Sequence, residues 1–181
     1  MLRIIGGKYR RLIIKAPETN STRPTSDKVR EALMSSLMNE LNDAVVLDLF
    51  AGSGALGLES LSRGAKCCYF VDNNKLALNT IKENIEKLKI EEETHLIFGS
   101  YKGVLGRLKE SGIKFDIVYL DPPYALKKAY NEVVDYLFEN DMLSLNGVVV
   151  KEGDKQFNED ERFSSHRQYR YGIVNVMVER R

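Results

Sequence analysis

The chain has 181 residues, of which 43% are hydrophobic and 29% are charged. This length and balance are typical of one globular domain that buries its own core. The longest apolar runs, such as residues 147–150, are too short to span a bilayer, and the N-terminus lacks the pattern of a signal peptide. The adjacent Cys67 and Cys68 would point to opposite faces of a strand, which argues against a disulfide. We therefore expect a cytoplasmic protein with reduced thiols.

Charge is distributed unevenly along the chain. Residues 1–30 contain eight basic residues against Glu18 and Asp27, a balance of +6. Because the whole chain carries +1, the remaining 151 residues sum to −5. A basic arm on an acidic body is expected of a protein that binds a polyanion. Charge alone fits a merely solvated N-terminus equally well.

The N-terminal segment predicts a β-hairpin. Two β-prone runs, residues 3–5 and 12–15, flank a Gly-Gly-Lys-Tyr turn region. After Pro24, Ser26 can cap a helix whose apolar positions recur at helical spacing, namely Val29, Leu33, Leu37 and Leu41. We expect residues 1–25 to form a basic hairpin arm and residues 26–181 to form the main domain.

The rest of the chain alternates between strand and helix patterns. Strands are predicted at residues 44–50, 66–72, 94–99, 115–121 and 146–152, with helices between them. The helix over residues 73–89 should bury Leu76, Ile81, Ile85 and Leu88 on one side. The tail predicts two antiparallel strands around Tyr171 and Gly172. Repeated strand-helix units of this kind indicate a doubly wound, mostly parallel α/β sheet with its ligand at the carboxyl ends of the strands.

The stretch "VLDLFAGSGALGLES", residues 46–60, contains the glycine pattern of adenosine-cofactor sites at Gly52, Gly54 and Gly57. Asp72 follows twenty residues after Gly52, where the pattern places a ribose ligand. Asp48 separates the two cofactor classes, because a carboxylate four residues before Gly52 would oppose the pyrophosphate of a nicotinamide dinucleotide. It suits the ammonium and sulfonium groups of S-adenosylmethionine instead. The alternative is a glycine-rich turn without a ligand.

Asp121-Pro122-Pro123-Tyr124 follows the fourth predicted strand of this sheet. Two prolines remove two amide donors and leave carbonyl acceptors, Asp121 adds another acceptor, and Tyr124 offers a flat face. An exocyclic amine on a flipped base needs acceptors for its two hydrogens and a surface on which its ring can stack. Two prolines can also simply end a strand. Together with Asp48, the tetrapeptide favours a methyltransferase acting on an amine over a nicotinamide enzyme.

The segments "RIIGGKYR", "TRPTSDKVREAL", "LDLFAGSGALGLESLSRGA", "FVDNN", "DIVYLDPPY" and "YRYGIVNV" occur in this order along nearly the whole chain. Together they resemble the bacterial 16S ribosomal RNA guanine-N2-methyltransferase family (RsmD). "TRPTSDKVREAL" is the specific part, since many amino-methyltransferases share the glycine loop and the Asp-Pro-Pro-Tyr motif. The resemblance implies a Rossmann-like class I S-adenosylmethionine-dependent methyltransferase with a seven-stranded sheet whose last two strands form a hairpin. It also implies methyl transfer to the exocyclic N2 of a guanine in 16S ribosomal RNA, within the small ribosomal subunit or an assembly intermediate.

The resemblance also implies roles for individual residues. Those expected to hold the target base, and so to be catalytic, are Asp121, Pro122 and Tyr124. Those expected to bind S-adenosylmethionine, and its product S-adenosylhomocysteine, are Asp48, Phe50, Gly52, Gly54, Asp72, Asn73 and Ser100. Those expected to contact RNA are Arg3, Lys8, Arg10, Arg11 and Arg23. Ser100 stands where relatives often carry an acidic residue near the adenine ring.

Three further expectations concern the remaining charged residues, metal binding and oligomeric state. Arg23 and Arg30 could bind RNA phosphate or close over the cofactor, or they could belong to an ordinary charged helix start. His95 and His166 have no neighbours at the spacing of metal ligands, so we expect no metal. No long apolar surface stripe is left over, which favours a monomer.

Two other functions share some of these features. A DNA adenine-N6-methyltransferase can carry the same tetrapeptide, but it normally needs a sizeable domain to read bases in the major groove. The chain has no insertion of that size. An RNA-binding assembly protein without catalytic activity is the other alternative. The presence of both Asp48 and the complete Asp-Pro-Pro-Tyr motif argues against it.

Overall fold

A computed structural model describes residues 2–17 and 27–181. The strands are β1 (Leu2–Arg3), β2 (Ile13–Ile14), β3 (Val45–Asp48), β4 (Cys67–Asp72), β5 (Thr94–Phe98), β6 (Phe115–Leu120), β7 (Leu143–Gly153), β8 (Ser165–Tyr171) and β9 (Val174–Arg180). The helices are α1 (Asp27–Ser36), α2 (Ala55–Ser62), α3 (Lys75–Leu88), α4 (Tyr101–Glu110) and α5 (Ala129–Glu139), and single 3-10 turns lie at Glu91–Glu93 and Tyr124–Leu126. Among these described helices, none has the length and apolar character needed to cross a membrane.

Seven of the strands form one sheet in the order β5-β4-β3-β6-β7-β9-β8. The strands from β5 to β7 are parallel, and β9 lies antiparallel between β7 and β8. The chain moves outward from β3 to β5 and then crosses back to β6. This reversal creates a topological switch point between β3 and β6, where sheets of this type bind ligands. The predicted doubly wound, mostly parallel sheet with an antiparallel C-terminal pair is therefore confirmed.

Helices cover both faces of the sheet and create two hydrophobic cores. One core joins α1, α2 and α3 to one face, and the other joins α4 and α5 to the opposite face. The predicted N-terminal hairpin is present, with β1 and β2 antiparallel. Its Ile4 and Ile14 are buried in the first core. The hairpin is therefore docked against the main domain through its apolar side chains.

Two local predictions were wrong in part, one on the buried face of α3 and one on the end of α1. Leu76 is 63% exposed, because the helical repeat places it on the opposite side of α3 from the buried Ile81 and Ile85. The buried face of α3 begins at Ala77 and Leu78 instead. Helix α1 ends at Ser36, and the apolar residues predicted to continue it, Leu37 and Leu41, are buried in the turns that follow. The predicted cap Ser26 lies outside the described residues.

Candidate active site

The glycine loop leaves the end of β3 and enters α2. Gly52 and Gly54 have φ values of 52° and 71°, in the left-handed region that side chains disfavour. A Cβ on Gly54 would lie 2.9 Å from Ile81 Cγ1, so this glycine is also required by packing against α3. A Cβ on Gly52 would meet nothing closer than Phe50 O at 3.9 Å. The loop therefore bends sharply and leaves open space above Gly52, as a cofactor cradle requires.

Asp48 lies at the end of β3, beneath this loop, and is only 4% exposed. Its Oδ2 accepts a hydrogen bond from the N–H of Gly57 at 3.2 Å. Burial raises the pKa of its carboxyl to about 7, the Gly57 N–H opposes this rise, and the negative charges of Asp72 and Glu152 add to it. Within the described residues, no lysine or arginine forms an ion pair with it. Its ionised form would therefore be stabilised by a positively charged ligand.

Asp72 ends β4 and ties this strand to the glycine loop. Its Oδ2 accepts from Gly52 N and its Oδ1 accepts from Asn74 N, both at 2.8 Å. The residue is half-buried, so its remaining lone pairs can reach a hydroxyl pair such as that of a ribose. Asn73 follows at the same edge and is exposed. The structure thus brings Asp48, Gly52 and Asp72 together, as the sequence predicted.

Ser100 and Phe50 lie beside the glycine loop, on the side where α4 packs. Ser100 is the N-cap of α4, where its Oγ accepts from Gly103 N at 3.4 Å. It is beside Asp72, because the preceding Gly99 donates its N–H to the Asp72 carbonyl. The ring of Phe50 packs 5.5 Å from the ring of Tyr101. Ser100 and Phe50 both have visible structural roles here, and their contacts with a cofactor remain predictions.

Asp121-Pro122-Pro123-Tyr124 lies at the end of β6, next to β3. The Pro123 carbonyl accepts from Leu126 N at 2.7 Å within a 3-10 turn, whereas the Pro122 carbonyl accepts no hydrogen bond from any residue that the structure describes. Tyr124 is 71% exposed, with Lys127 Nζ 5.5 Å from its ring centre. A carbonyl without a hydrogen-bond donor among the described residues, that of the buried Pro122, thus lies two residues before an exposed aromatic ring.

The Asp121 carboxylate is the second acceptor at this edge. The residue is exposed to solvent, although neighbouring protein atoms reduce the hydration of its carboxyl group. This loss of hydration, with the negative charges of Glu152 and Asp48, raises its pKa to about 8. No residue in the described part of the chain donates a hydrogen bond to this carboxylate. An amine would supply the missing donors.

Glu152 is a residue that the sequence analysis missed. It lies near the end of β7, is 7% exposed, and contributes negative charge to both Asp48 and Asp121. A recurring sequence pattern could have identified Glu152. An apolar strand ends in a carboxylate at Asp48, at Asp121 and again at Glu152.

The basic residues of the hairpin are on the surface, as predicted. Arg3, Lys8, Arg10 and Arg11 are all exposed, and Arg23 lies outside the described residues. The position of Arg30 does not agree with the expectation that it binds RNA phosphate or closes over the cofactor. It is 1% exposed, and its Nη2 donates to the Arg3 carbonyl at 2.6 Å. Its guanidinium therefore supports the hairpin from below.

Helix α2 connects this hairpin to the glycine loop. Its buried Glu59 accepts from the backbone N–H groups of Ile5 and Gly6, at 2.9 and 2.8 Å. One turn later, the Ser62 carbonyl accepts from Lys8 N, and its hydroxyl accepts from Tyr9 N. Since α2 begins directly after Gly54, the basic surface and the candidate cofactor loop lie at opposite ends of one eight-residue helix.

Comparison with known proteins agrees with this arrangement. The family model described as "Conserved hypothetical protein 95" matches residues 2–180. A putative rRNA methyltransferase of Bacillus subtilis is 32% identical, over 98% of this chain and 97% of its own. The ribosomal RNA small subunit methyltransferase D of Haemophilus influenzae is also 32% identical, over 98% of this chain and 92% of its own.

Solved structures extend the comparison to the fold. A putative methyltransferase from Escherichia coli superposes with a TM-score of 0.87 at 30% identity, and it covers 99% of this chain and 97% of its own. The class I methyltransferase fold predicted from the motifs is thereby confirmed. Because the family model and these relatives span almost the entire chain, the protein belongs to the conserved hypothetical protein 95 family, the RsmD family of methyltransferases.

Proposed function

We propose that this protein transfers a methyl group from S-adenosylmethionine to the exocyclic N2 amine of a guanine in 16S ribosomal RNA. One observation carries the proposal. Asp121 and the Pro122 carbonyl are hydrogen-bond acceptors without donors among the described residues, and they follow β6 next to the end of β3, where the buried carboxylate of Asp48 favours a cation. The names of the relatives, which refer to ribosomal RNA and the small subunit, support the choice of substrate.

The residues around the glycine loop fit S-adenosylmethionine. Asp48 offers a buried negative charge, Asp72 offers free lone pairs for ribose hydroxyls, and Gly52 leaves room for close approach of the cofactor. When bound, S-adenosylmethionine supplies an electrophilic methyl group on a positively charged sulfur. A nicotinamide dinucleotide fits less well, because its pyrophosphate would approach Asp48. Asn73, Ser100, Phe50 and Gly54 complete the proposed cofactor site.

The tetrapeptide residues act on the target base. The Asp121 carboxylate and the Pro122 carbonyl each accept one hydrogen of the amine, which orients its lone pair away from both acceptors. Tyr124, with most of its ring exposed, stacks on the base once the base has left its helix. With a pKa of about 8, Asp121 is also a better proton acceptor than an ordinary aspartate, and its carboxylate can receive the proton that the nitrogen loses.

The hairpin supplies an electrostatic contribution to RNA binding. Its exposed basic residues, Arg3, Lys8, Arg10 and Arg11, form a surface suited to phosphate groups, and Arg23 is proposed to join them. We therefore assign residues 1–25 to RNA contact and residues 26–181 to methyl transfer. The proposed partner is 16S ribosomal RNA within the small subunit or a late assembly intermediate.

A methyl-transfer assay tests the proposal against both alternatives. Methyl-labelled S-adenosylmethionine is incubated with undermethylated small subunits, with naked 16S ribosomal RNA and with duplex DNA, and the labelled nucleosides are identified by mass spectrometry. We expect N2-methylguanosine from the RNA substrates and no label in DNA. N6-methyladenine in DNA would point to a DNA methyltransferase. No transfer to any substrate, in a protein that binds subunits, would identify an assembly protein without catalytic activity.

A further inference from the structure

We propose that Glu152 selects the base: its carboxylate accepts a hydrogen bond from the N1–H of the guanine whose N2 amine Asp121 and Pro122 hold. The inference rests on the proposed function and adds a specificity-determining residue to it.

The strand register places three carboxylates side by side. Asp48 is paired with Tyr119 across β3 and β6, and Leu120 is paired with Lys151 across β6 and β7. Asp121 and Glu152 are the next residues after this last pair, so they are neighbours on strands that lie about 4.8 Å apart. All three carboxylates thus stand at the carboxyl ends of adjacent parallel strands.

The three side chains also share a face of the sheet. On β7, Val148 and Val150 pack in the core that contains α1, α2 and α3, and side chains alternate along a strand, so Glu152 faces the same way. By the same alternation from Val46 and Tyr119, Asp48 and Asp121 face that side too. The negative charge that Glu152 imposes on both aspartates agrees with this placement.

Glu152 is held on a rigid part of the molecule. Tyr130 Oη donates to its backbone carbonyl at 2.5 Å, and the Tyr130 ring packs edge-on against Phe157 at 5.0 Å. Its backbone also pairs with Val176 on β9. The preceding Lys151 faces the opposite side of the sheet, where its Nζ forms a buried ion pair with Glu179 at 2.5 Å. Lys151 therefore pairs with Glu179 on the other side of the sheet from Glu152.

Purine chemistry gives this position its selectivity. Guanine presents a donor at N1 beside its exocyclic amine, whereas adenine presents an acceptor at N1 beside its amine. An ionised carboxylate only accepts hydrogen bonds. With the amine fixed by Asp121 and Pro122, Glu152 would therefore bind guanine through N1–H and would be repelled by the N1 lone pair of adenine.

The analogue 2-aminopurine isolates this contact, because it keeps the amine at position 2 but has an acceptor at N1. After the methylated guanine has been located, small subunits are reconstituted with guanine or with 2-aminopurine at that nucleotide. We expect wild-type kcat/KM to be about 10- to 100-fold lower for 2-aminopurine, the range of one well-placed base contact. Glu152→Gln should remove or invert this preference, since its amide can donate to the N1 acceptor.

Further measurements separate selection from folding. Glu161→Gln, at an exposed carboxylate, is the control and should keep the wild-type preference. Glu152→Ala should lower activity on guanine and lose the preference without gaining activity on 2-aminopurine. Calorimetry should give S-adenosylhomocysteine affinities for both Glu152 variants close to that of wild type, which also shows that they are folded.

The outcomes distinguish the two proposals. If wild type forms N2-methylguanosine and Glu152→Gln keeps the wild-type ratio between guanine and 2-aminopurine, Glu152 does not select the base, and the proposed function stands. If wild type methylates no guanine, the proposed function is wrong, and the role of Glu152 falls with it.

Discussion

The two halves of the proposed site, one for the cofactor and one for the target base, differ in how many of their acceptors already have donors within the protein. In the cofactor half, Asp72 already accepts from Gly52 N and Asn74 N, and Asp48 already accepts from Gly57 N. In the target half, no described residue donates to the Asp121 carboxylate or to the Pro122 carbonyl, and Tyr124 is largely exposed. Under the proposed function, the protein thus builds the cofactor cradle from its own hydrogen bonds, and the substrate would satisfy the target acceptors.

The largest expected effect comes from breaking the target half alone. Asp121→Ala removes an acceptor for the amine without touching the cofactor cradle. We expect single-turnover methyl transfer to fall by about 100- to 1,000-fold, as for the loss of one preorganised group in an active site. Calorimetric affinity for S-adenosylhomocysteine should change little. Wild-type turnover in this variant would show that Asp121 does not hold the reacting amine.

The hairpin offers a second way to separate binding from chemistry. Neutralising Arg3, Lys8, Arg10 and Arg11 together should lower kcat/KM by about tenfold or more at moderate salt, because each lost phosphate contact reduces both affinity and its dependence on salt. The rate of the methyl-transfer step at saturating substrate should be nearly unchanged. A salt series measures both quantities. An unchanged kcat/KM across that series would mean that the charges serve only solubility.

Two glycines of the cradle should respond differently to alanine. Gly54→Ala combines a left-handed φ of 71° with a Cβ only 2.9 Å from Ile81, so it should destabilise the fold by about 1–3 kcal/mol. Gly52→Ala meets no close neighbour, so it should cost less stability and chiefly reduce cofactor affinity. Urea unfolding and calorimetry on both variants check this contrast. Equal losses of stability would contradict the assignment of Gly52 to an open cradle.

The sequence could bring together the residues of the proposed cofactor half more completely than those of the proposed target half, for a physical reason. Asp48, Gly52 and Asp72 belong to one strand-loop-helix-strand unit, so local spacing is enough to bring them together. Glu152 is thirty-one residues from Asp121, and only the pairing of β6 with β7 makes them neighbours. Glu59 was missed for a related reason. One charged residue within α2 resembles a solvated position until the docking of the hairpin buries it.

The smallest expected effect is on the pH dependence of cofactor binding. Burial raises the pKa of Asp48 to about 7 and the lost hydration of Asp121 raises its pKa to about 8, whereas both have values near 3.8 in an unfolded chain. At pH values between the unfolded and the folded pKa values, the folded protein binds more protons than the unfolded chain. These two groups therefore make the unliganded protein less stable as pH rises from about 4 to 8. A cationic ligand favours their ionised forms and therefore releases protons on binding.

Affinity for S-adenosylmethionine should therefore rise with pH, by about tenfold between pH 6 and pH 8 for one such group. The rise should be weaker for S-adenosylhomocysteine, which lacks the sulfonium charge. Calorimetry in buffers of different ionisation enthalpy measures both the affinities and the protons released. Asp48→Asn removes the more deeply buried carboxylate and should flatten the pH profile of the sulfonium ligand towards that of its product. If the two ligands keep parallel pH profiles in wild type, the buried carboxylate does not sense the charge on sulfur, and the cofactor half owes its affinity to the ribose and backbone contacts alone.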